Sequence, residues 1–253
     1  MRGRPARSQR RALSQNFLRS ERIAAQLVQA AEIGPSDLVL DIGAGSGIVT
    51  QALARKAGRV IAIDADARWA ARLRERFQSR PAVQVIESDA LEVPFPDRPF
   101  KIVSNPPFHI TSQLLRRLLD DPAVPMVRAE LILAWGAAIG RANVHPPAMA
   151  SLSWMPWYEL IVTRRLPTRL FVPSPQADAA VLSIRRRPQA LIPLADRPRY
   201  IRLLRRAYRC GRMDAASGRG WAGFAAQQGL PRDARPADLD VWAWAALLET
   251  FTP

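Results

Sequence analysis

The chain has 253 residues, 48% hydrophobic and 23% charged, with no apolar run near the roughly 18 residues that a membrane-spanning helix needs. One cysteine, Cys210, excludes an intrachain disulfide and a cysteine-based zinc site and fits a reducing, cytoplasmic setting. Lysine and arginine total 37 against 22 acids, a net charge of +15, and only Lys56 and Lys101 are lysines; such a surface favours a polyanion, RNA or DNA first, and no membrane partner is expected.

The first residues carry Arg2, Arg4, Arg7, Arg10 and Arg11 without an acid, and no apolar stretch follows. A basic flexible tail over 1–13 is expected rather than a secretory signal, with Arg10 and Arg11 as candidate RNA contacts. A solvated tail without a specific role is the other reading. From about residue 20, Ile23, Leu27, Ala30 and Ala31 recur at helical spacing, predicting a helix that ends at Gly34-Pro35. Leu38-Val39-Leu40 is a strand candidate running into Asp41 and a glycine-rich turn, and 48–57 reads as a helix ended by Gly58. Strands at 60–63, 83–86, 101–104 and 131–134 then alternate with helices at 66–78 and 111–119.

Short apolar strands between amphipathic helices predict a parallel sheet covered on both faces, with ligands beyond the carboxyl ends of its strands. Leu160-Ile161-Val162 and 179–184 are two further strands, which pair antiparallel to finish the sheet around a proline-rich loop. Pro188 and Pro193 mark a linker, and the remainder reads as helical. The fold class is therefore α/β: a seven-stranded, mostly parallel Rossmann-like sheet over 14–187, then a small helical RNA-binding domain over 188–253. Residues 197–219 carry eight arginines against one acid, Asp214, and make Arg205, Arg206 and Arg209 candidate RNA contacts.

Four strand ends carry chemistry. Asp41-Ile42-Gly43-Ala44-Gly45-Ser46-Gly47 opens a helix with glycines that let backbone approach a ligand, and it is not the dinucleotide spacing G-x-G-x-x-G. Asp64, ending the next strand, is placed to accept from ribose hydroxyls; a helix cap is its other reading. Asp89, with Ala90, ends the third strand, where a carboxylate accepts from an adenine amino group or caps a loop. Together these suit an adenosine-bearing cofactor.

Ser104-Asn105-Pro106-Pro107-Phe108 follows the fourth strand. An exocyclic adenine nitrogen is a poor nucleophile because its lone pair is delocalised into the ring. A site helps by accepting both amino protons, one at the Asn105 side-chain oxygen and one at a carbonyl held rigidly by proline, that of Pro106. Phe108 is then a stacking surface for a base taken out of its helix. Asn-Pro is also a plain turn signal. His109 and His145 lack metal-ligand spacing, and no metal is expected. Trp135, Trp154 and Trp157 are read as packing residues.

Asn105-Pro106-Pro107-Phe108 resembles the catalytic motif of class I amino methyltransferases. Ser14-Gln15-Asn16-Phe17-Leu18 resembles the opening motif of the rRNA adenine N6-methyltransferases, a family that includes 16S dimethyladenosine transferases and the Erm enzymes of 23S rRNA. FVPSPQADAAVLSIRRR at 171–187 is similar to a third family motif. Ser153 to Glu159 and Val241 to Leu248 resemble the tryptophan-rich segment and C-terminal helix of actinobacterial Erm enzymes. The resemblance covers about residues 14–253.

It implies S-adenosylmethionine as cofactor, S-adenosylhomocysteine as product, and transfer to N6 of an adenosine in 23S rRNA before full ribosome assembly, by a monomer that confers macrolide-type resistance. It places Asn16 and Leu18 against the cofactor, Gly43 along its methionine part, Asp64 at the ribose and Asp89 at the adenine, with Gly45 and Ala90 also at the cofactor, while Asn105 serves cofactor and target base. The chain departs from the family at Pro107, at Ala134 where Gln is usual, and at Asp64 where Glu is usual. A 16S transferase, a catalytically silent RNA-binding scaffold and a DNA methyltransferase stay open as alternatives.

Overall fold

A computed structural model describes residues 16–142, 148–214 and 220–250. Arg10, Arg11 and the rest of the basic tail, together with His145, lie outside the described residues. The described chain forms two compact units, one of residues up to 138 with 162–184 and one of 139–161 with 185–253.

The first unit begins with β1 (Phe17–Leu18) and α1 (Glu21–Ala30). Ser20 caps α1 by accepting from the Ile23 amide at 3.2 Å, and the helix buries Ile23, Ala24, Leu27 and Val28 on one face. Then follow β2 (Leu38–Ile42), α2 (Ile48–Leu53), β3 (Arg59–Asp64), α3 (Ala67–Arg76), β4 (Val83–Glu87), β5 (Phe100–Ser104), α4 (Thr111–Leu119) and β6 (Met126–Ala134). All five residues of β2 are buried, as a strand covered on both faces requires. The helix expected over 48–57 stops at Leu53, and a turn over 54–56 follows.

After α5 (Trp135–Ile139) and α6 (Met149–Leu152) come β7 (Tyr158–Leu166), β8 (Phe171–Val172) and β9 (Ala179–Arg186). The seven-stranded order is β4-β3-β2-β5-β6-β9-β7, with β2 to β6 parallel. The last two strands pair as expected. The Arg187 amide donates to the Trp157 carbonyl at one end, and Asp178 meets Arg165 and Thr168 at the other, so they run antiparallel. β6 begins five residues earlier than its apolar run, because Arg128 and Glu130 interrupt that run. Glu130, 1% exposed, is held inside the sheet through Oε1, which pairs with Arg128 and accepts from the Ser183 hydroxyl.

This order fixes the site. From β2 the chain builds outward through β3 and β4, then returns to lay β5 and β6 on the other side. The carboxyl ends of β2 and β5 therefore part at a topological switch point, where open α/β sheets bind ligands. Their ladder ends at Leu40 and Ile102. Beyond it Ser104 Oγ accepts from the Ile42 amide at 2.7 Å and donates to the Leu40 carbonyl at 3.4 Å, bridging the strands below the gap.

The second unit includes α7 (Arg197–Cys210), α8 (Trp221–Gln227) and α9 (Val241–Thr250). Its core takes Trp154, Trp157, Tyr200, Trp221 and Trp244, all buried. The Tyr200 hydroxyl donates to the Leu152 carbonyl at 2.8 Å and the Trp221 indole to the Arg232 carbonyl at 2.6 Å. Among the described residues no helix is long and apolar enough to cross a membrane.

Gly58 gives a stability test. A Cβ there would sit 2.1 Å from the Pro35 carbonyl oxygen, which is backbone and cannot swing aside. Gly58→Ala is expected to lower unfolding free energy by roughly 1–3 kcal/mol, measured by urea denaturation.

Candidate active site

The turn after β2 is built by glycine. Gly43 and Gly45 have φ of 70° and 51°, and a Cβ at Gly43 would meet Pro107 Cδ at 2.7 Å. At Gly45 it would meet the Phe17 ring at 2.6 Å. The glycine loop therefore touches both the Asn-Pro-Pro-Phe turn and the segment before α1. Amides of Gly43 and Ala44 donate to the Ile63 carbonyl, which ties the loop to β3.

A pocket of about 470 Å³ opens there, lined by Asn16, Phe17, Leu18, Asp41, Gly43, Ala44, Ser46, Ile48, Val49 and residues 105–108. Of the residues singled out in the sequence, it brings together Asn16, Leu18, Gly43, Asn105, Pro106 and Phe108. Asn105 Nδ2 donates to the Asn16 carbonyl at 2.7 Å, while its Oδ1 is buried without a partner among the described residues. Pro107, at φ −54°, begins a short 3-10 turn over Phe108–Ile110, and Phe108 packs on the core beside the pocket.

Gly45, Asp64, Asp89 and Ala90 are not among the lining residues. Asp64 is buried and already bonded: Oδ2 accepts from the Gly45 amide at 2.8 Å and Oδ1 from the Asp66 amide at 2.9 Å. Burial raises its pKa, and those two amides oppose the rise. Asp66, not Asp64, caps α3, accepting from the Arg68 amide at 2.9 Å. Asp89 Oδ1 accepts from the Leu91 amide at 3.0 Å, and Arg117 forks onto the Ala90 and Val93 carbonyls. Asp64 thus braces the glycine loop, and Asp89 shapes its own turn.

Motif reasoning overlooked Asp41. It is 1% exposed and lines the pocket; Oδ2 accepts from the Thr50 hydroxyl at 2.6 Å, and Oδ1 has no partner among the described residues. Burial pushes its carboxyl up to about 7, with the Thr50 bond opposing and the neighbouring Asp64 adding to the rise. Its signal in the sequence was an acid inside an otherwise apolar strand.

In the second unit, α7 buries Tyr200, Leu204 and Ala207 and exposes Arg202, Arg205, Arg206 and Arg209. At 100° per residue these four arginines form one stripe opposite the buried face.

The sequence profile of the ribosomal RNA adenine dimethylases matches residues 6–213. The chain belongs to the ribosomal RNA adenine dimethylase family. A ribosomal RNA small subunit methyltransferase A from Moorella thermoacetica is 33% identical over 234 residues, 85% of this chain and 80% of that one. A mycinamicin-resistance protein from Micromonospora griseorubida is 32% identical over 254 residues, 98% of this chain and 80% of the other. Among solved structures, the 23S rRNA methyltransferase ErmE matches with a TM-score of 0.86 at 27% identity, over 93% of this chain and 99% of that one. As a dimethylase-family enzyme with the class I methyltransferase fold, the chain is an S-adenosylmethionine-dependent rRNA adenine N6-methyltransferase.

The pocket of this dimethylase-family chain fits that cofactor. The glycines leave backbone where a side chain would collide, and two buried oxygens, on Asp41 and Asn105, await donors. The Asp41 carboxyl also sets a pH dependence. Unfolded, it titrates near 3.8; folded, near 7. Between those values the unfolded chain has lost a proton that the native state keeps, so this group's contribution falls as pH rises and is level above about 7. Asp41→Asn is expected to remove that fall. Its stability relative to wild type, from urea midpoints, should widen by up to a few kcal/mol from pH 4 to 7 and then stay constant. A difference independent of pH would show Asp41 ionised throughout.

Proposed function

We propose that the enzyme transfers methyl from S-adenosylmethionine to N6 of one adenosine in 23S rRNA, before the ribosome is fully assembled, and so confers macrolide-type resistance. The observation that carries the chemistry is the buried, unpartnered Oδ1 of Asn105 beside a proline-held backbone. The choice of 23S rests on the likeness to ErmE and on the mycinamicin-resistance protein, which matches along almost the whole chain.

S-adenosylmethionine supplies an electrophilic methyl on a sulfonium. In this reading Asn16, Leu18, Gly43 and Asp41 hold it, with Asp41 Oδ1 accepting from its amino group. Gly45 shapes the loop that Asp64 braces from behind, and remaining lone pairs of Asp64 face the ribose. Asp89 and Ala90 place the turn at the adenine end. Asn105 Oδ1 accepts one amino proton of the target adenine and the Pro106 carbonyl the other, which returns electron density to N6 and fixes its orientation. Phe108 stacks on the flipped base. On the second unit, Arg205, Arg206 and Arg209 take RNA phosphates, joined by Arg10 and Arg11 of the tail. Phosphate contacts of this kind weaken steeply with salt. The protein acts as a cytoplasmic monomer.

The small subunit methyltransferase from Moorella favours a second reading, methylation of 16S rRNA. One assay separates the two. Purified protein is incubated with labelled S-adenosylmethionine and deproteinised 23S rRNA, 16S rRNA or duplex DNA, and the modified base is mapped. Label is expected in 23S rRNA at one adenosine; label in 16S alone would sink the 23S assignment. Asn105→Ala should cut transfer at least 100-fold, while filter binding of the same RNA stays within about threefold of wild type, a factor under 1 kcal/mol. Transfer near wild-type rate would show that the amino-group acceptor lies elsewhere.

A further inference from the structure

Beside the catalytic turn the sheet carries an assembly that methyl transfer does not use. Trp135 is the first residue past β6 and is half-buried rather than packed away. The Arg165 guanidinium lies over its indole, 4.9 Å from the ring centroid. Asp178 locks that plane: Oδ2 accepts from Arg165 Nε at 2.8 Å, Oδ1 accepts from the Thr168 amide at 3.1 Å, and its carbonyl accepts from the Trp135 amide at 2.9 Å. The end of β6, the end of β7 and the residue before β9 thus converge on one flat cation. Its side chain is still 62% exposed.

An exposed ion pair adds little to stability, and holding a long arginine in one rotamer costs entropy. A planar cation fixed on an aromatic ring with most of its surface in water is instead suited to a flat, π-bearing ligand. Unpaired bases stack on aromatic rings and on guanidinium planes alike, and arginine adds a cation–π contribution. The location agrees. β5 and β6 are parallel, with Ser104 opposite Leu131, so Asn105 and Trp135 leave the sheet at the same edge from adjacent strands. At the rise of a strand, Trp135 lies about 10 Å farther along that direction than Asn105, within reach of a nucleotide next to one held at Asn105.

We propose that the Trp135–Arg165 pair is a base-stacking platform that holds an unpaired nucleobase flanking the target adenosine, and thereby helps select the RNA site. The inference rests on the assignment of the chain as an rRNA adenine methyltransferase. Trp135, read from the sequence as a packing residue, is half-buried, whereas Trp154 and Trp157 are buried as expected.

The probe is an RNA hairpin carrying the adenosine mapped in the rRNA assay, intact or with an abasic residue at each neighbouring position in turn. Equilibrium binding is measured by fluorescence anisotropy without cofactor, for wild type, Arg165→Lys, Trp135→Leu and Trp135→Phe. Removing one flanking base should weaken wild-type binding about tenfold. Arg165→Lys keeps the charge but not the plane, so it should bind the intact hairpin about tenfold more weakly and be insensitive to the abasic replacement. Trp135→Leu should behave alike, and Trp135→Phe should recover most of the affinity. Unchanged cofactor affinity certifies that each variant is folded.

The platform is overturned if Arg165→Lys binds the intact hairpin like wild type. It is equally overturned if abasic replacement costs both proteins the same factor at every position, as a phosphate contact alone would give. Either result with methylation of rRNA intact removes only the platform. A wild-type enzyme that labels no rRNA removes the functional assignment itself.

Discussion

The hydrogen bond from Asn105 Nδ2 to the Asn16 carbonyl, 2.7 Å long, decides what the end of β5 can do. A side-chain amide is a donor at one end and an acceptor at the other. With the donor end committed to a backbone carbonyl, the acceptor end is the one left for a ligand, buried and unpaired. Such an atom is costly without a donor, so the folded protein holds in reserve an interaction that, in the proposed mechanism, a bound amino group completes. The carbonyl that makes this possible is itself held by a two-residue ladder. β1 pairs with β8, Phe17 opposite Val172 and Leu18 opposite Phe171, and Phe17 rests on Gly45. The glycine loop and the Asn-Pro-Pro-Phe turn therefore share one brace.

Much of the sheet was legible because its strands contain short continuous apolar runs whose ends carry the distinctive residues. The lapses have physical causes. β1 and β8 are two residues each, too short for any period to show. The first half of β6 was hidden by Arg128 and Glu130, whose burial is offset by their pairing, by Glu32 on Arg128 and by the Ser183 hydroxyl on Glu130 Oε1. The turn at Asn105 could be read because its chemistry is local. The parts played by Asp64 and Asp89 could not, because each depends on which backbone amides the fold delivers. Asp64 finds one of its amides 19 residues upstream, at Gly45. Asp41 sat in plain view at the strand end, but its importance lies in a missing partner, which no sequence displays.

Charge is divided with some economy. The chain as a whole is strongly positive, yet the strand ends behind the pocket place Asp41 and Asp64 side by side in a buried setting that raises both their pKa values. A cationic sulfonium and an anionic RNA are opposite demands on one protein. In the proposed reading the first falls to Asp41, which lines the pocket, with Asp64 behind the glycine loop, and the second to arginines spread over the surface, where the field reaches far enough to gather a polyanion. Because the acids are few and enclosed, they do little to repel the RNA.

The stripe on α7 is made of arginine alone. A guanidinium keeps its charge at every pH a protein survives and has no primary amine to acylate. Of the lysines, Lys101 is already engaged with Asp37 and the Glu32 carbonyl, which leaves Lys56 exposed at the turn after α2. The most basic helix of this protein is therefore silent to amine chemistry. Acetylating enzymes have no handle on it, and footprinting or cross-linking through lysine would leave this helix unmarked whether or not RNA covers it.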